Sequence, residues 1–363
     1  MDQQLAELRV EIDQLDREIL DLVSRRAICA QRVAEVKQQN PAADAVFYRP
    51  EREAQVLRNI MAHNPGPLGG EEVARVFRQI MSSCLALEQP MQIAFLGPEG
   101  TFTQSAALKH FGHSVISKPL HSIDEVFREV ESKTAHYGVV PIENSTEGMV
   151  HHTLDMFRNS SLKICGEVEL RIHQHLLAAD GVDLNSVTRI YSHQQSLAQC
   201  RRWLDARYPS VERVAVSSNA EAARRAAEER ADNVVAIAGD MAAELYGLNR
   251  VVESIEDQPD NTTRFLVIGN QLVGPSGKDK TSMLISARNK PGTLYHLLEP
   301  FHRQGISLTR IETRPSGMGA WGYIFYIDCE GHFSDATLQQ VMREVADEAM
   351  ELKLLGSYPQ AVL

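Results

Sequence analysis

The 363-residue sequence has no apolar run that approaches a membrane-spanning helix. Behind Met1-Asp2-Gln3-Gln4 there is no basic stretch leading into an apolar core, so no secretory signal is expected. Cysteine is scarce. Cys29, Cys84, Cys165, Cys200 and Cys329 are odd in number, scattered and without a CxxC pair, which argues against a disulfide framework or a thiolate zinc site and for a cytoplasmic location. Positive charge is also short: 37 Lys and Arg against 48 Asp and Glu leave a net charge of −11, which speaks against a nucleic-acid partner. No Walker loop, dinucleotide fingerprint or nucleophile elbow is present, and no cofactor is expected. His151-His152 and His173-Gln174-His175 lack a carboxylate or thiol at ligand spacing, so no metal is expected either. Local clusters of cations in so acidic a chain read as sites for small anions.

What is present falls into three segments, as a chain too long for one core should. Residues 1–90 read as all-helical, with helices to about Gln39, from Pro50 to Ala62 and from Glu71 to Glu88. From Gln92 short apolar runs alternate with helical stretches, which indicates an α/β region with strands at 93–96, 137–140, 168–172, 189–191, 234–238 and 265–268. Residues 270–280 form the clearest linker. Beyond them the order strand, helix, strand, strand, helix, strand is the ferredoxin-like arrangement.

The first helix carries an anomaly. Leu5, Leu8, Ile12, Leu15, Ile19 and Leu22 mark a buried seam, and the next position in that series is Arg26. Lys37 lies about 20° off the same face and about 16 Å further along the helix. Buried cations need partners, so the pair suggests an enclosed anion. Arg9 lies about 26 Å from Arg26 on a straight helix and cannot share its ligand within one chain. An antiparallel second copy would bring the two together, which predicts a dimer with shared sites.

In the α/β region three loops that follow strands and open helices hold the informative residues: Gly97–Thr103, Pro141–Gly148 and Ser192–Ser196. Hydroxyls and N–H groups at helix starts suit a carboxylate, and open α/β sheets bind ligands beyond their strand C-termini. Thr262-Thr263-Arg264-Phe265 opens an apolar strand, where a hydroxyl and a cation could face the same cleft.

These residues carry a resemblance over nearly the whole chain. Residues 1–90 resemble the all-helical chorismate mutase domain. The middle resembles prephenate dehydratase through GPEGTF at 97–102, PIENS at 141–145, SHQQSLAQC at 192–200 and TRF at 263–265. The last part is similar to an ACT domain through NKPGTL at 289–294 and RIETRP at 310–315. In this order the motifs resemble the bifunctional chorismate mutase–prephenate dehydratases of phenylalanine biosynthesis. The resemblance implies an all-α mutase domain over 1–90, a two-lobed α/β domain like periplasmic binding proteins over 91–270 and a ferredoxin-like ACT domain over 281–363. The implied ligands are chorismate, prephenate and inhibitory phenylalanine, and the implied assembly is a homodimer through the mutase and ACT domains.

By the same resemblance Arg26 and the Arg9 of a second copy bind the carboxylates of chorismate, Lys37 donates to the ether oxygen, and Arg52 with Glu53 holds the carboxylate and hydroxyl ends. Many members carry serine and glutamine where this chain has Cys84 and Glu88. An ionised Glu88 cannot donate to the ether oxygen, so it must be protonated to act. For dehydration Thr263 is the implied donor to the leaving hydroxyl. Thr101, Asn144, Ser145, Ser192 and Gln195 are expected to orient the substrate, and Arg264 to be an anion anchor or a structural support. Asn289, Pro291, Gly292 and Leu294 on a turn, and Glu312, Thr313, Arg314 and Pro315 on a facing loop, are the implied phenylalanine contacts. Two rivals stand beside this reading: a dehydratase that prefers arogenate, and a non-catalytic amino-acid sensor.

Overall fold

The computed structural model describes residues 2–39, 48–229, 232–288, 290–315 and 322–363. The chain divides into two compact units, one drawn from residues 1–49, 56–91 and 111–116, the other from 50–55, 92–110 and 117–363. No helix among the described residues is long and apolar enough to cross a membrane.

The first unit is helical. Helix α1 (Asp2–Gln38) is followed by α2 (Pro50–His63), which starts on proline where a missing N–H does no harm and belongs to this unit from Val56 on, and by α3 (Gly70–Glu88). Ala34, Leu57, Ala74 and Cys84 are buried in it. The seam of α1 behaves differently from the expectation of a buried stripe. Leu5, Leu8, Ile12, Leu15, Ile19 and Leu22 are 46–59% exposed, because the single chain offers them nothing to pack on.

The second unit contains three sheets. Its chain order begins with β1 (Gln92–Leu96), α4 (Phe102–Phe111), β2 (Ile116–Leu120), α5 (Ile123–Glu131), β3 (Tyr137–Asn144), β4 (Gly148–Met149), α6 (His151–Asn159) and β5 (Lys163–Arg171). It continues through β6 (His175–Ala178), β7 (Arg189–His193), α7 (Gln194–Gln199), α8 (Arg201–Arg207), β8 (Glu212–Val216), α9 (Asn219–Glu228), β9 (Val234–Ala238), α10 (Asp240–Tyr246) and β10 (Asn249–Val252). Strand β11 (Thr262–Gly269) then returns to the first sheet, whose order is β2-β1-β3-β11-β5 with β4 on β3, while the second sheet runs β10-β6-β9-β7-β8. The chain thus passes between the two sheets twice, after β5 and after β10. Val-Val-Ala-Ile-Ala in β9 is buried throughout, as a central strand covered on both faces should be. The segment Pro141–Asn144 differs from its expected role as a loop that opens a helix. It continues β3, and α6 starts only at His151.

The last part contains β12 (Asp279–Ala287), α11 (Thr293–Arg303), β13 (Leu308–Pro315), β14 (Tyr323–Glu330), α12 (Ala336–Glu348) and β15 (Glu351–Pro359), paired antiparallel in the order β13-β14-β12-β15. Alternation along β12 sends Met283 and Ile285 to the two helices and Leu284 the other way. Leu284 joins Tyr326, Leu355 and Tyr358 in one core with Val140 and Leu266 of the first sheet and Phe157 of α6. Residues 270–280 are accordingly no slack linker. Val273, Ser276 and Asp279 are buried, and Lys280 Nζ lies 2.8 Å from Glu167 of β5. Glycine, proline and serine there signal turns, and the turns are anchored on both sides.

Candidate active sites

On α1, Arg9 is exposed and Arg26 half-buried. Lys37 Nζ lies 3.6 Å from Glu88 Oε2 at the end of α3, so the structure does bring these two together. That oxygen is buried and has no hydrogen-bond partner among the described residues. Cys84, one turn earlier on α3, is buried as well. On α2, Arg52 is exposed and Glu53 half-buried.

A cleft of about 280 Å³ opens between the first two sheets of the second unit. Polar residues lining it are Asn144 and Thr263 of the first sheet with Thr101 and Thr103 at the start of α4, and, on the other side, His193 at the end of β7, Gln195, Ser196 and Gln199 of α7, Ser218 and Asn219 at the start of α9, and Gln174 just before β6. Thr263 and Asn144 are cross-strand neighbours on β11 and β3. Asn144 Oδ1 accepts from Thr146 N at 3.0 Å, Thr146 Oγ1 at 2.6 Å and Glu147 N at 3.1 Å, which settles the orientation of the amide. Its Nδ2 therefore points the other way and donates to Thr263 Oγ1 at 2.7 Å and to Asn261 Oδ1 at 2.9 Å. With a lone pair engaged by Asn144, the Thr263 hydroxyl keeps its own proton for a ligand. The register shifts between Arg264 and Phe265, where β3 carries the extra residue Ile142, and this bulge lies beside the pair, a common place for one to re-aim side chains.

Three expected substrate contacts sit elsewhere. Ser192 is fully buried, its Oγ donating to Ile237 O at 2.8 Å and Asn219 Oδ1 at 3.2 Å, so it holds the floor of the cleft and does not line it. Ser145 Oγ accepts from Thr262 N at 3.0 Å and so ties β3 to β11. Arg264 points away from the cleft, because its neighbour Thr263 takes the cleft-facing position on the strand. Its Nε donates to Glu167 at 2.8 Å, Nη1 to Asp328 at 2.8 Å and Nη2 to Tyr358 Oη at 2.9 Å. Arg264 thus meets Glu167, Asp328 and Tyr358 and is not among the residues lining the cleft. Burial alone would raise the Asp328 carboxyl, yet Arg264 and Arg310 hold it below the ordinary carboxylate value.

Other residues went unnoticed in the sequence. Asn219 Nδ2 and Gln174 Nε2 both donate to Ser196 Oγ, at 2.8 and 3.0 Å. Asn219 follows Ser217-Ser218 between β8 and α9, the same strand-to-helix signal that marked the other loops. Gln174 sits inside the histidine motif weighed for a metal. His173 Nδ1 lies 3.0 Å from Glu256 and His175 Nε2 lies 3.4 Å from Asp240. Burial pushes the Cys165 and Cys329 thiols up to about 12, so neither supplies a thiolate near neutrality.

In the last sheet Gly292 takes φ 84° at the start of α11, a left-handed conformation that favours glycine. Pro291 precedes it, and Leu294 is partly exposed on the first turn. Asn289 lies outside the described residues. Glu312, Thr313, Arg314 and Pro315 form no loop, since β13 runs through all four as the edge strand. Arg314 Nη2 is tied to Asp155 of α6 at 2.8 Å.

The described residues thus form a helical segment, an α/β part with a cleft between two sheets, and a four-stranded antiparallel sheet with two helices. The chain matches the family profiles for Chorismate mutase type II over residues 8–89, Prephenate dehydratase over 93–272 and ACT domain over 281–347. It is 64% identical to a bifunctional chorismate mutase/prephenate dehydratase of Stutzerimonas stutzeri and 62% identical to that of Pseudomonas aeruginosa, over 99% of both chains in each case. Among solved structures, prephenate dehydratase from Arthrobacter aurescens in complex with L-Phe is 34% identical with a TM-score of 0.69, covering 75% of this chain and 90% of that one. The chain belongs to the bifunctional chorismate mutase/prephenate dehydratases. It is an enzyme of phenylalanine biosynthesis, which removes the non-catalytic sensor as a rival.

Proposed function

We propose that dehydration is carried by the Asn144–Thr263 pair and that the mutase site is completed by a second copy of the chain. Prephenate gains one proton and yields phenylpyruvate, CO2 and water. The bond to the ring carboxylate breaks, its electron pair enters the ring, and the ring C–O bond breaks as hydroxide departs and takes the proton. A hydroxyl donor is needed at the oxygen where charge develops. Thr263 fits because Asn144 occupies its acceptor side, and that 2.7 Å hydrogen bond is the observation that carries the reading. Thr101, Gln195 and the Ser196–Asn219–Gln174 cluster orient the substrate, with Ser145 and Ser192 supporting them from behind.

For the mutase, Arg26, Lys37 and Glu88 act with the second copy's Arg9 on chorismate, with Arg52, Glu53 and Cys84 as further contacts. A pericyclic rearrangement requires only a clamp on the dicarboxylate and charge stabilisation at the ether oxygen. The exposed apolar stripe of α1 supports the dimer, since a row of six half-exposed leucines and isoleucines invites a like surface. Phenylalanine binds at Pro291–Leu294 and Glu312–Pro315, between two ACT domains. We read the domains as 1–90, 91–270 and 281–363, the middle one as a two-lobed binding-protein fold and the last as ferredoxin-like. The scattered free cysteines favour the cytoplasm.

Replacing Thr263 by alanine tests the central reading. Dehydration of prephenate should fall about 10²–10⁴-fold, the usual worth of a positioned proton donor, while the mutase rate of the same protein stays put. Retained dehydration would remove Thr263 from this role, and loss of both activities would indicate misfolding.

A further inference from the structure

The two strands that carry Asn144 and Thr263 present a second cross-strand pair directly alongside, Glu143 opposite Arg264. Where the first pair faces the cleft, the second meets the ACT sheet. Arg264 Nη1 binds Asp328 of β14 at 2.8 Å, and Glu143 Oε2 lies 3.8 Å from Arg310 of β13. Asp328 also lies 3.6 Å from Arg310 Nε, which closes a chain Arg264–Asp328–Arg310–Glu143 that begins and ends beside the cleft residues.

The members of this chain are held unequally. Arg264 is bound on every side, and Ser282 Oγ donates to the other oxygen of Asp328 at 2.5 Å. Arg310, by contrast, has Nε and Nη1 buried without a hydrogen-bond partner among the described residues, and both its ion pairs there are long. A buried guanidinium between two carboxylates and bonded to neither is sensitive to displacements of a few tenths of an ångström. It sits on β13, the edge strand that also carries Glu312–Pro315.

We propose that Arg310 is a positioning residue for dehydration, which couples the place of β13 to the Asn144–Thr263 pair through Glu143 and through Asp328 with Arg264. When β13 shifts, Arg310 makes or loses its bonds to the two carboxylates, and the strand segments bearing the cleft pair move with them. This rests on the reading of Asn144 and Thr263 as the dehydration pair and of β13 as part of the phenylalanine site.

The test uses the full-length chain with Arg310→Met and Arg310→Lys. It follows kcat and KM for prephenate with and without phenylalanine, phenylalanine binding by calorimetry, and mutase rate as the check on folding. For Arg310→Met the phenylalanine concentration for half-inhibition should rise at least about tenfold while the calorimetric Kd stays within about threefold, as loss of coupling without loss of binding requires. Its uninhibited kcat should change at least about threefold with KM within about twofold, and Arg310→Lys should recover part of both effects. Wild-type inhibition together with wild-type kcat in Arg310→Met would overturn the proposal. So would a parallel loss of binding and inhibition, which makes Arg310 a ligand contact. If Arg310→Met loses the mutase activity too, Glu143→Gln carries the same expectations and the same refutation. Should phenylalanine not bind the wild-type chain, the reading of the ACT site fails by itself, and an unchanged kcat in Arg310→Met then decides against the bridge. Should Thr263→Ala retain dehydration, the catalytic reading fails while the inhibition data still judge the bridge.

Discussion

Along α1 the positions proposed to act are charged, with Arg9, Arg26 and Lys37 on one helix, whereas the polar groups lining the cleft between the two sheets are hydroxyls, amides and one imidazole, set among apolar residues such as Leu96, Phe102, Val150 and Ile172. No arginine or lysine is among the described lining residues of that cleft. Both sites are read as handling dicarboxylates of closely related structure, so the contrast lies in the chemistry. A rearrangement keeps both carboxylates, and cations that clamp them serve the ground and transition states alike while polarising the ether oxygen. Dehydration of prephenate releases one carboxylate as CO2. A cation tight on that group would stabilise the charge that has to leave it, so neutral donors suit this step better. Arg264, next to Thr263 in the chain, is turned behind the sheet and neutralised by Glu167 and Asp328. The two regions also differ in how much one chain supplies. The cleft draws its lining from a single chain, while α1 presents a half-exposed apolar stripe and an Arg9 too far along the helix to serve Arg26.

Mixing two inactive variants is the sharpest way to break this contrast. Arg9→Ala and Arg26→Ala should each lose most mutase activity, by about 10²–10³-fold for a removed transition-state cation, and keep dehydration. Random reassociation should then restore about a quarter of the mutase rate, because half the dimers are mixed and each mixed dimer has one intact site. No recovery on mixing would place both arginines in the site of one chain.

A smaller effect is expected at Glu88. Its proposed role requires the protonated form, so mutase activity should decline with rising pH, by about tenfold per unit on the alkaline limb. Glu88→Gln, which keeps a donor at all pH values, should flatten that limb. A wild-type profile already flat from acidic to neutral pH would remove Glu88 from the chemistry.

The smallest effect is expected at charges outside the lining of the cleft. On α9, hydrogen bonds from Arg224 and Arg225 hold the Glu221 carboxyl down to about 2. A carboxyl lowered on folding stabilises above its ordinary value near 4.5, and that gain disappears as pH falls from there towards 2. Because the arginines are well exposed, Glu221→Gln should lower stability at pH 7 by only about 0.2–1 kcal/mol in denaturant titrations and leave both activities intact. A larger loss, or any change in turnover, would show that surface charge on this lobe matters to the cleft.

Much of the architecture is legible in the residues alone. The 3.6-residue period sets the three helices of the first segment, the alternation of short apolar runs with helices sets the α/β region, and the last six elements appear in the expected order. The strand-to-helix loops at 97–103 and 192–196 do reach the cleft, since hydroxyl and amide side chains at helix starts carry a local signal. What sequence could not supply was side-chain direction and long-range partnership. Thr263 and Arg264 are adjacent in the chain, and only the pairing of β11 with β3 and β5 determines that one faces the cleft and the other a buried carboxylate. Ser192 and Asn219 are 27 residues apart, and only the second sheet makes one the floor of the other's site. Residues 270–280 have the composition of a linker, yet the partner of Lys280 lies 113 residues earlier in the chain. Local periodicity is written in neighbouring residues and can be read from them. The partner of a buried charge is chosen by which strands come to lie side by side, and that is decided only when the chain has folded.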